Sequence, residues 1–249
     1  MKSMKIYTLK NKKLNSRSNL LYYKPNFHNI ITKNQVFKNM RIIGGHITNT
    51  NFRNAKFIGC DFVNVNLRDS IFRNTQIDNC VFITCNLTNT DFNATYTNKT
   101  HFITCNITKS INFPMDNPSV KILNQQPSEK HTNDYLLYML YYSRKIKRIS
   151  DYKVLHTNNK TLNNWNIDIL LTEYSSKELS ILLHKIICGK YSNKRHFYTL
   201  NCYREALDNL IKKWYIASVQ PRKCLRDYVD TLLWQVFGRW CLWWTTFSL

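Results

Sequence analysis

Residues 57–92 read FIGCDFVNVNLRDSIFRNTQIDNCVFITCNLTNTDF, and in them a large apolar residue returns at every fifth place: Phe57, Phe62, Leu67, Phe72, Ile77, Phe82, Leu87 and Phe92. The same step runs back through Phe52, Ile47 and Ile42 to Phe37. It runs forward through Thr97 to Phe102 and Ile107, so fourteen of fifteen positions are large and apolar and the register is unbroken. Two places earlier in each unit stand Gln35 and Met40, then the smaller Gly45, Thr50, Ala55, Cys60, Val65, Ser70, Thr75, Cys80, Cys85, Thr90, Thr95, Thr100 and Cys105. A helix repeats at 3.6 residues and a strand at 2, so neither accounts for a step of five. The alternation suits a chain that turns a corner every five residues, because only small side chains fit beside large ones inside a narrow coil.

Stretches such as Cys60-Asp61-Phe62-Val63-Asn64, Cys85-Asn86-Leu87-Thr88-Asn89 and Thr90-Asp91-Phe92-Asn93-Ala94 resemble the pentapeptide-repeat family, whose consensus reads A-(D/N)-(L/F)-x-x. The resemblance covers about residues 35–112. It implies a right-handed quadrilateral β-helix with four repeats per coil, so that residues twenty apart stack. Phe62, Phe82 and Phe102 then form one inner ladder, Ile47, Leu67, Leu87 and Ile107 the next, and Phe52, Phe72 and Phe92 another. About four coils at the strand spacing give a rod on the order of 20 Å, whose open strand edges need caps.

The twenty-residue step also sorts the outer surface. Ile43, Val63, Ile83 and Ile103 follow the large residues of one face and form an outward apolar ladder that needs cover. It is read as a protein-docking surface, covered either by the C-terminal domain or by a partner. Arg53 and Arg73 stack on another face, with Arg68 on a neighbouring one, and read as solvated. Cys60 and Cys80, and Cys85 and Cys105, lie twenty apart at the small inward positions, which makes them packing residues rather than a disulfide or metal site.

The 249 residues carry 36 Lys and Arg against 15 Asp and Glu, a net charge of +21, and such an excess points to an anionic partner. Eight Cys with no CxxC pair and no zinc spacing indicate a reducing compartment and no structural metal. Five Gly and five Pro beside abundant Asn, Lys, Ile, Tyr and Phe fit an AT-rich gene, organellar or viral. Residues 1–34 hold Lys2, Lys5, Lys10, Lys12, Lys13, Arg17, Lys24 and Lys33 and no acid, with no apolar signal sequence. They read as an extended basic arm that orders along phosphates. The repeat occupies 35–114, and 115–132, with Pro118 and Pro127, reads as a linker.

Residues 133–249 read as an α-helical domain. A helix capped by Asn133 or Asp134 carries Leu136, Leu137, Leu140 and Tyr141 and ends in Arg144, Lys145, Lys147 and Arg148, cations that suit that end of the dipole and are expected to contact RNA. Further helices are predicted at about 175–188, stopped by Gly189, at 201–217 and at 222–246. Lys190, Lys194 and Arg195 lie in a loop with Tyr191, Phe197 and Tyr198, a pattern suited to phosphates and stacked bases. Trp234, Trp240, Trp243 and Trp244 mark the last helix as a docking element. Gln235 and Arg239 make it a poor membrane span, so lipid contact is the minor reading.

No nucleotide-binding glycine loop, nucleophile elbow or metalloprotease motif is present, and the seven His form no recognisable pair with a Cys or carboxylate. The expectation is a non-enzyme without a cofactor. The best-known pentapeptide-repeat proteins imitate DNA with a negative surface, and this chain has the wrong sign for that. The function expected is a structural RNA-binding subunit of a large ribonucleoprotein, with rRNA or another structured RNA and neighbouring subunits as partners. A mitochondrial ribosomal protein, encoded in the organelle, is the favoured form, with a plastid or virus as the alternative source. The competing reading is an interaction scaffold or accessory subunit of a membrane-bound respiratory complex.

Overall fold

In a computed structural model every fifth residue from Asn19 to Lys109 has a φ between 44 and 67°, the left-handed conformation that turns each corner of the coil. An L side chain there costs roughly 1–2 kcal/mol, least for Asn, and Gly is exempt. Ten of these corners are Asn (19, 29, 34, 39, 49, 54, 64, 74, 79 and 89) and two are Gly44 and Gly59, so part of the asparagine richness is structural. Further side chains brace the turns. Asn51, Asn66, Asn86, Asp91, Asn106 and Asn117 each accept the N–H two residues on.

The structure describes residues 17–125, 133–158, 161–191 and 196–219. The chain divides into two compact units, Met1–Leu207 and Asp208–Leu249, and every contact described below lies within the first.

The corners separate short parallel strands: β1 (Arg17–Tyr23), β2 (Asn26–His28), β3 (Val36–Ile43), β4 (His46–Thr48), β5 (Lys56–Ile58) and β6 (Asp61–Val63). There follow β7 (Gln76–Asp78), β8 (Val81–Ile83), β9 (Tyr96–Asn98), β10 (Thr100–Ile103) and β11 (Val120–Leu123). Each pairs in a register of twenty, as in Phe62 with Phe82 and Phe82 with Phe102. One face stacks β3, β5, β7 and β9, and the next stacks β1, β3, β6, β8, β10 and β11. The third holds β2 and β4 and continues as single bridges through Asn66, Asn86 and Asn106. The fourth is made wholly of bridges, from Ile31 through Asn51, Ile71 and Asp91 to Ile111. The result is a four-faced parallel β-solenoid of about five turns.

Inside, the expected ladders are present. Phe62, Phe82 and Phe102 stack at 4.7 and 4.8 Å, and Phe52, Phe72 and Phe92 at 5.0 and 5.2 Å. The small inward residues do more than leave room. The thiols of Cys60, Cys80, Cys85 and Cys105 donate to the carbonyls of Phe37, Phe57, Phe62 and Phe82 one coil back, at 3.3–3.5 Å. The hydroxyls of Ser70, Thr75, Thr95, Thr100 and Ser110 repeat the bond to Ile47, Phe52, Phe72, Ile77 and Leu87. Cys, Ser and Thr interchange there because each is a small donor. Burial pushes the Cys80 and Cys85 thiols up, which keeps the donating proton in place.

The solenoid is longer than the sequence reading made it. Residues 17–34, expected within the extended arm, form a first coil: Tyr22, Phe27, Ile30 and Thr32 are buried, and β1 pairs with β3. Tyr22 and Phe27 lie in phase with the five-residue step, and Thr32, polar at a large position, masked the continuation. Val120–Leu123, expected in a linker, pairs with Thr100–Ile103 in the same register and extends the stack. Residues 1–16 lie outside the described residues, and with them Lys2, Lys5, Lys10, Lys12 and Lys13.

Among the described residues five helices follow: α1 (Asp134–Ser143), α2 (Lys147–Ser150), α3 (Asn164–Glu173), α4 (Ser176–Ile187) and α5 (Leu200–Val219). Asn133 caps α1 by accepting from the Leu136 N–H at 2.7 Å. Ser175 and Glu178 form a reciprocal capping box on α4, and Gly189 beyond its end has a φ of +69°. The expected first helix stops at Ser143, so Arg144 is its cap and Arg144 to Arg148 do not form its last turn. α3 was not foreseen, since its sequence NWNIDILLTE lacks a clear one-sided apolar stripe. The expected helix at 222–246, with Trp234, Trp240, Trp243 and Trp244, lies outside the described residues.

Candidate nucleic-acid interface

The outward apolar ladder is not an open docking surface. Ile83 and Ile103 are buried and Ile43 and Val63 half-buried, and residues of the chain's own helical part reach the strands β3 and β6 that carry the ladder's first two members. In the same strands Arg41 and Asp61 form a fully buried ion pair at 2.6 Å. Arg41 Nη2 also donates to the Lys153 carbonyl at 2.7 Å, and the Leu200 N–H, at the start of α5, donates to Asp61 Oδ2 at 2.9 Å. Burial lowers the pKa of Arg41 and raises that of Asp61, and their mutual attraction opposes both shifts. Asn201 Nδ2 donates to Asn39 Oδ1 at 2.9 Å and lies over the Gly59 corner, where an added Cβ would come within 2.4 Å of it. That corner therefore needs Gly and not the usual Asn. Of the two covers expected for Ile43, Val63, Ile83 and Ile103, the C-terminal domain or a partner, the chain's own helical part meets the same strands through Lys153, Leu200 and Asn201.

An exposed aromatic surface lies elsewhere, on α1. Its inner face buries Leu136, Met139, Leu140 and Ser143, while Tyr135, Tyr138, Tyr141 and Tyr142 are exposed. Tyr138 and Tyr142, one turn apart, stack with centroids at 6.0 Å and planes 29° apart. The Arg144 guanidinium lies 5.3 Å over the Tyr141 ring and the Lys145 ammonium 4.9 Å over Tyr142. Tyr135 Oη is hydrogen-bonded to His184 Nδ1 on α4 at 3.0 Å, and His184 Nε2 lies 3.5 Å from the Cys188 sulfur. His184, in the last turn of α4, and Cys188, its C-cap, are thus a His–Cys pair where the sequence pattern shows none. Burial and then Lys190 lower the His184 pKa. The tyrosines were visible in sequence as Tyr135, Tyr138 and Tyr142 at three and four on the side opposite the leucines. Tyr141 blurs that division in the sequence, since it fits the apolar pattern yet is exposed.

The other expected RNA contacts divide. Arg144, Lys145 and Lys147 are exposed within four residues. Arg148 is corrected: its guanidinium donates to the Ile186 carbonyl at 2.7 Å and the Tyr191 carbonyl at 3.4 Å, closing the end of α4. Lys190 is exposed, and Lys194 and Arg195 lie outside the described residues. Phe197 of the same loop is a core residue, fully buried, with its ring 4.5 Å from Tyr203. Lys24 sits at a left-handed corner, its ammonium 5.6 Å over the Tyr23 ring. The main chain of Arg17 begins β1 opposite Phe37, so neither residue belongs to a flexible arm. On the solenoid, Arg73 is paired with Asp91.

With the geometry in hand, comparison with known proteins places the solenoid. Residues 46–82 match the family model for pentapeptide repeats in eight copies. The solenoid is a pentapeptide-repeat β-helix. Similar solved structures include Rfr23 of the cyanobacterium Cyanothece 51142, a pentapeptide repeat protein, at 10% identity over 41% of this chain and 59% of that chain, with a TM-score of 0.28. HetL of Nostoc sp. strain PCC 7120, a pentapeptide repeat protein involved in heterocyst differentiation regulation, shares 12% identity over 47% of this chain and 54% of its own, with a TM-score of 0.35. QnrB1, a plasmid-mediated fluoroquinolone resistance protein, shares 13% identity over 43% and 55%, with a TM-score of 0.28. The chain spans little more than half the length of these structures. No curated protein sequence matches it.

Proposed function

We propose that the protein is a non-catalytic RNA-binding structural subunit of a large ribonucleoprotein particle, with a mitochondrial ribosome as its most concrete form. The observation that carries this reading is how the fold uses its charges. Acids are few, and Asp61, Asp69, Asp91, Glu173 and Glu205 are each paired with a cation of the chain itself. Lys33, Lys56, Lys99, Lys109, Lys145 and Lys147 are exposed among the described residues, and the full sequence carries a net charge of +21. A surface of that sign attracts phosphate and releases its counterions. The solenoid then acts as a rigid spacer and the helical part as the element that meets RNA. Composition supports an AT-rich organellar gene through Lys, Ile, Tyr and Phe, while Asn is partly explained by the corners.

The test is sedimentation of the native protein from a lysate, with and without ribonuclease and with a salt step. Travel with a ribosome-sized particle and release by ribonuclease or high salt is the expected result. Retention in detergent-solubilised membrane complexes, indifferent to ribonuclease, would overturn the reading in favour of an accessory respiratory subunit.

A further inference from the structure

We propose that the outer face of α1 is a stacking site for unpaired RNA bases, with Tyr138 and Tyr142 as the platform and Arg144 and Lys145 holding the neighbouring phosphates. This rests on the RNA-binding reading and specifies its ligand. Tyr138 is 59% and Tyr142 37% exposed although both are large aromatics, and four such rings on one short helix are more than scattered surface tyrosines. The helix is held from behind by buried Leu136 and Leu140 and at its start by the Tyr135 to His184 bond, so the rings stand on a fixed support. A fixed aromatic loses little conformational freedom when a flat partner settles on it.

The charges select the partner. Arg144 and Lys145 already lie against the rings, and Lys147 is exposed three residues beyond Arg144. Protein interfaces are depleted of lysine, whereas ring faces bordered by cations match nucleotides, each of which carries a flat base and an anionic phosphate. The bases must be unpaired. In an A-form duplex the base faces are already stacked and the deep groove admits no side chain. From Tyr135 to Arg144 the helix rises about 14 Å, room for a few nucleotides laid along it.

The test uses the full chain and a fluorescent uridine-rich 12-mer, single-stranded or annealed to its complement, read by anisotropy across a salt series. Wild-type protein should bind the single strand more tightly. Tyr138→Ala/Tyr142→Ala should weaken single-strand binding about tenfold or more with the salt slope unchanged, and Tyr138→Phe/Tyr142→Phe, which keeps the rings, should regain most of the loss. Arg144→Gln/Lys145→Gln should weaken binding and flatten the slope of log K against log salt by about one to two. Circular dichroism checks that each variant is folded. Unchanged single-strand binding by the alanine pair, or equal binding of the duplex, overturns the platform and leaves the RNA reading standing. If neither probe binds, both fail. If the alanine pair keeps full RNA affinity but loses a protein neighbour from the native particle, the face is a protein interface and the proposal is overturned.

Discussion

In the solenoid a residue's place follows from its number: Phe62, Phe82 and Phe102 stack because they are twenty apart, and Cys85 bonds the Phe62 carbonyl because it is twenty-three further on. In the helical part no such rule operates. Leu136 and Leu140 of α1 and Leu179 and Leu183 of α4 are buried by the way two capped helices pack. The difference bears on function. A period that puts like on like makes a stiff, uniform rod whose outer faces repeat, whereas helices outside the period can gather unlike residues. Four tyrosines and three cations gather at α1, and nothing comparable is stacked on the rod.

The comparison can be broken first at the rod's interior. Phe82→Ala, between two stacked rings, should cost about 3–5 kcal/mol in urea unfolding. The same change at half-buried Phe113, at the end of the stack, should cost clearly less. Equal costs would mean that the stack is not a cooperative core. The joint between the two parts comes next. Arg41→Met strands a buried Asp61 and should cost about 3 kcal/mol or more, while Arg41→Met/Asp61→Leu should regain most of that. A double variant no better than the single would show that the pair does not act as a unit.

Acid offers a third probe of the covered face. Burial, then Arg204 and Lys121, push the His101 pKa down to about 3 from 6.5. Between those values the unfolded chain takes a proton that the folded chain refuses, so stability falls as pH drops through the window, by up to about 1.4 kcal/mol per pH unit. His101→Gln should flatten the urea midpoint against pH there, and an unaltered profile would refute the assignment. The smallest effect is at a corner. Asn64, with φ of 54°, should lose about 1 kcal/mol as Asn64→Ala and little as Asn64→Gly.

Legibility followed the same divide. The ladders from Phe37 to Ile107 were readable because a period of five admits few structures, and the α4 boundaries because Ser175, Glu178 and Gly189 are local stop and start chemistry. The first coil was missed because Thr32 stands where a large residue was sought, and β11 because its segment carries Pro118 and lies past the fading repeat. Arg148 read as a nucleic-acid contact since nothing local says that its guanidinium reaches the Ile186 carbonyl, 38 residues on. The meeting of the helical part with this face was equally hidden, because Leu200 and Lys153 reach Asp61 and Arg41 across more than a hundred residues of chain.

The central claim is that the helical part meets RNA while the rod spaces it. Ultraviolet crosslinking of the native particle, with the modified peptides mapped by mass spectrometry, tests that directly. Nucleotide adducts should fall on the α1 tyrosines, Tyr138 and Tyr142 first, with the solenoid faces unmarked. Adducts confined to the solenoid, residues 17–123, or none anywhere in the chain, would contradict the account.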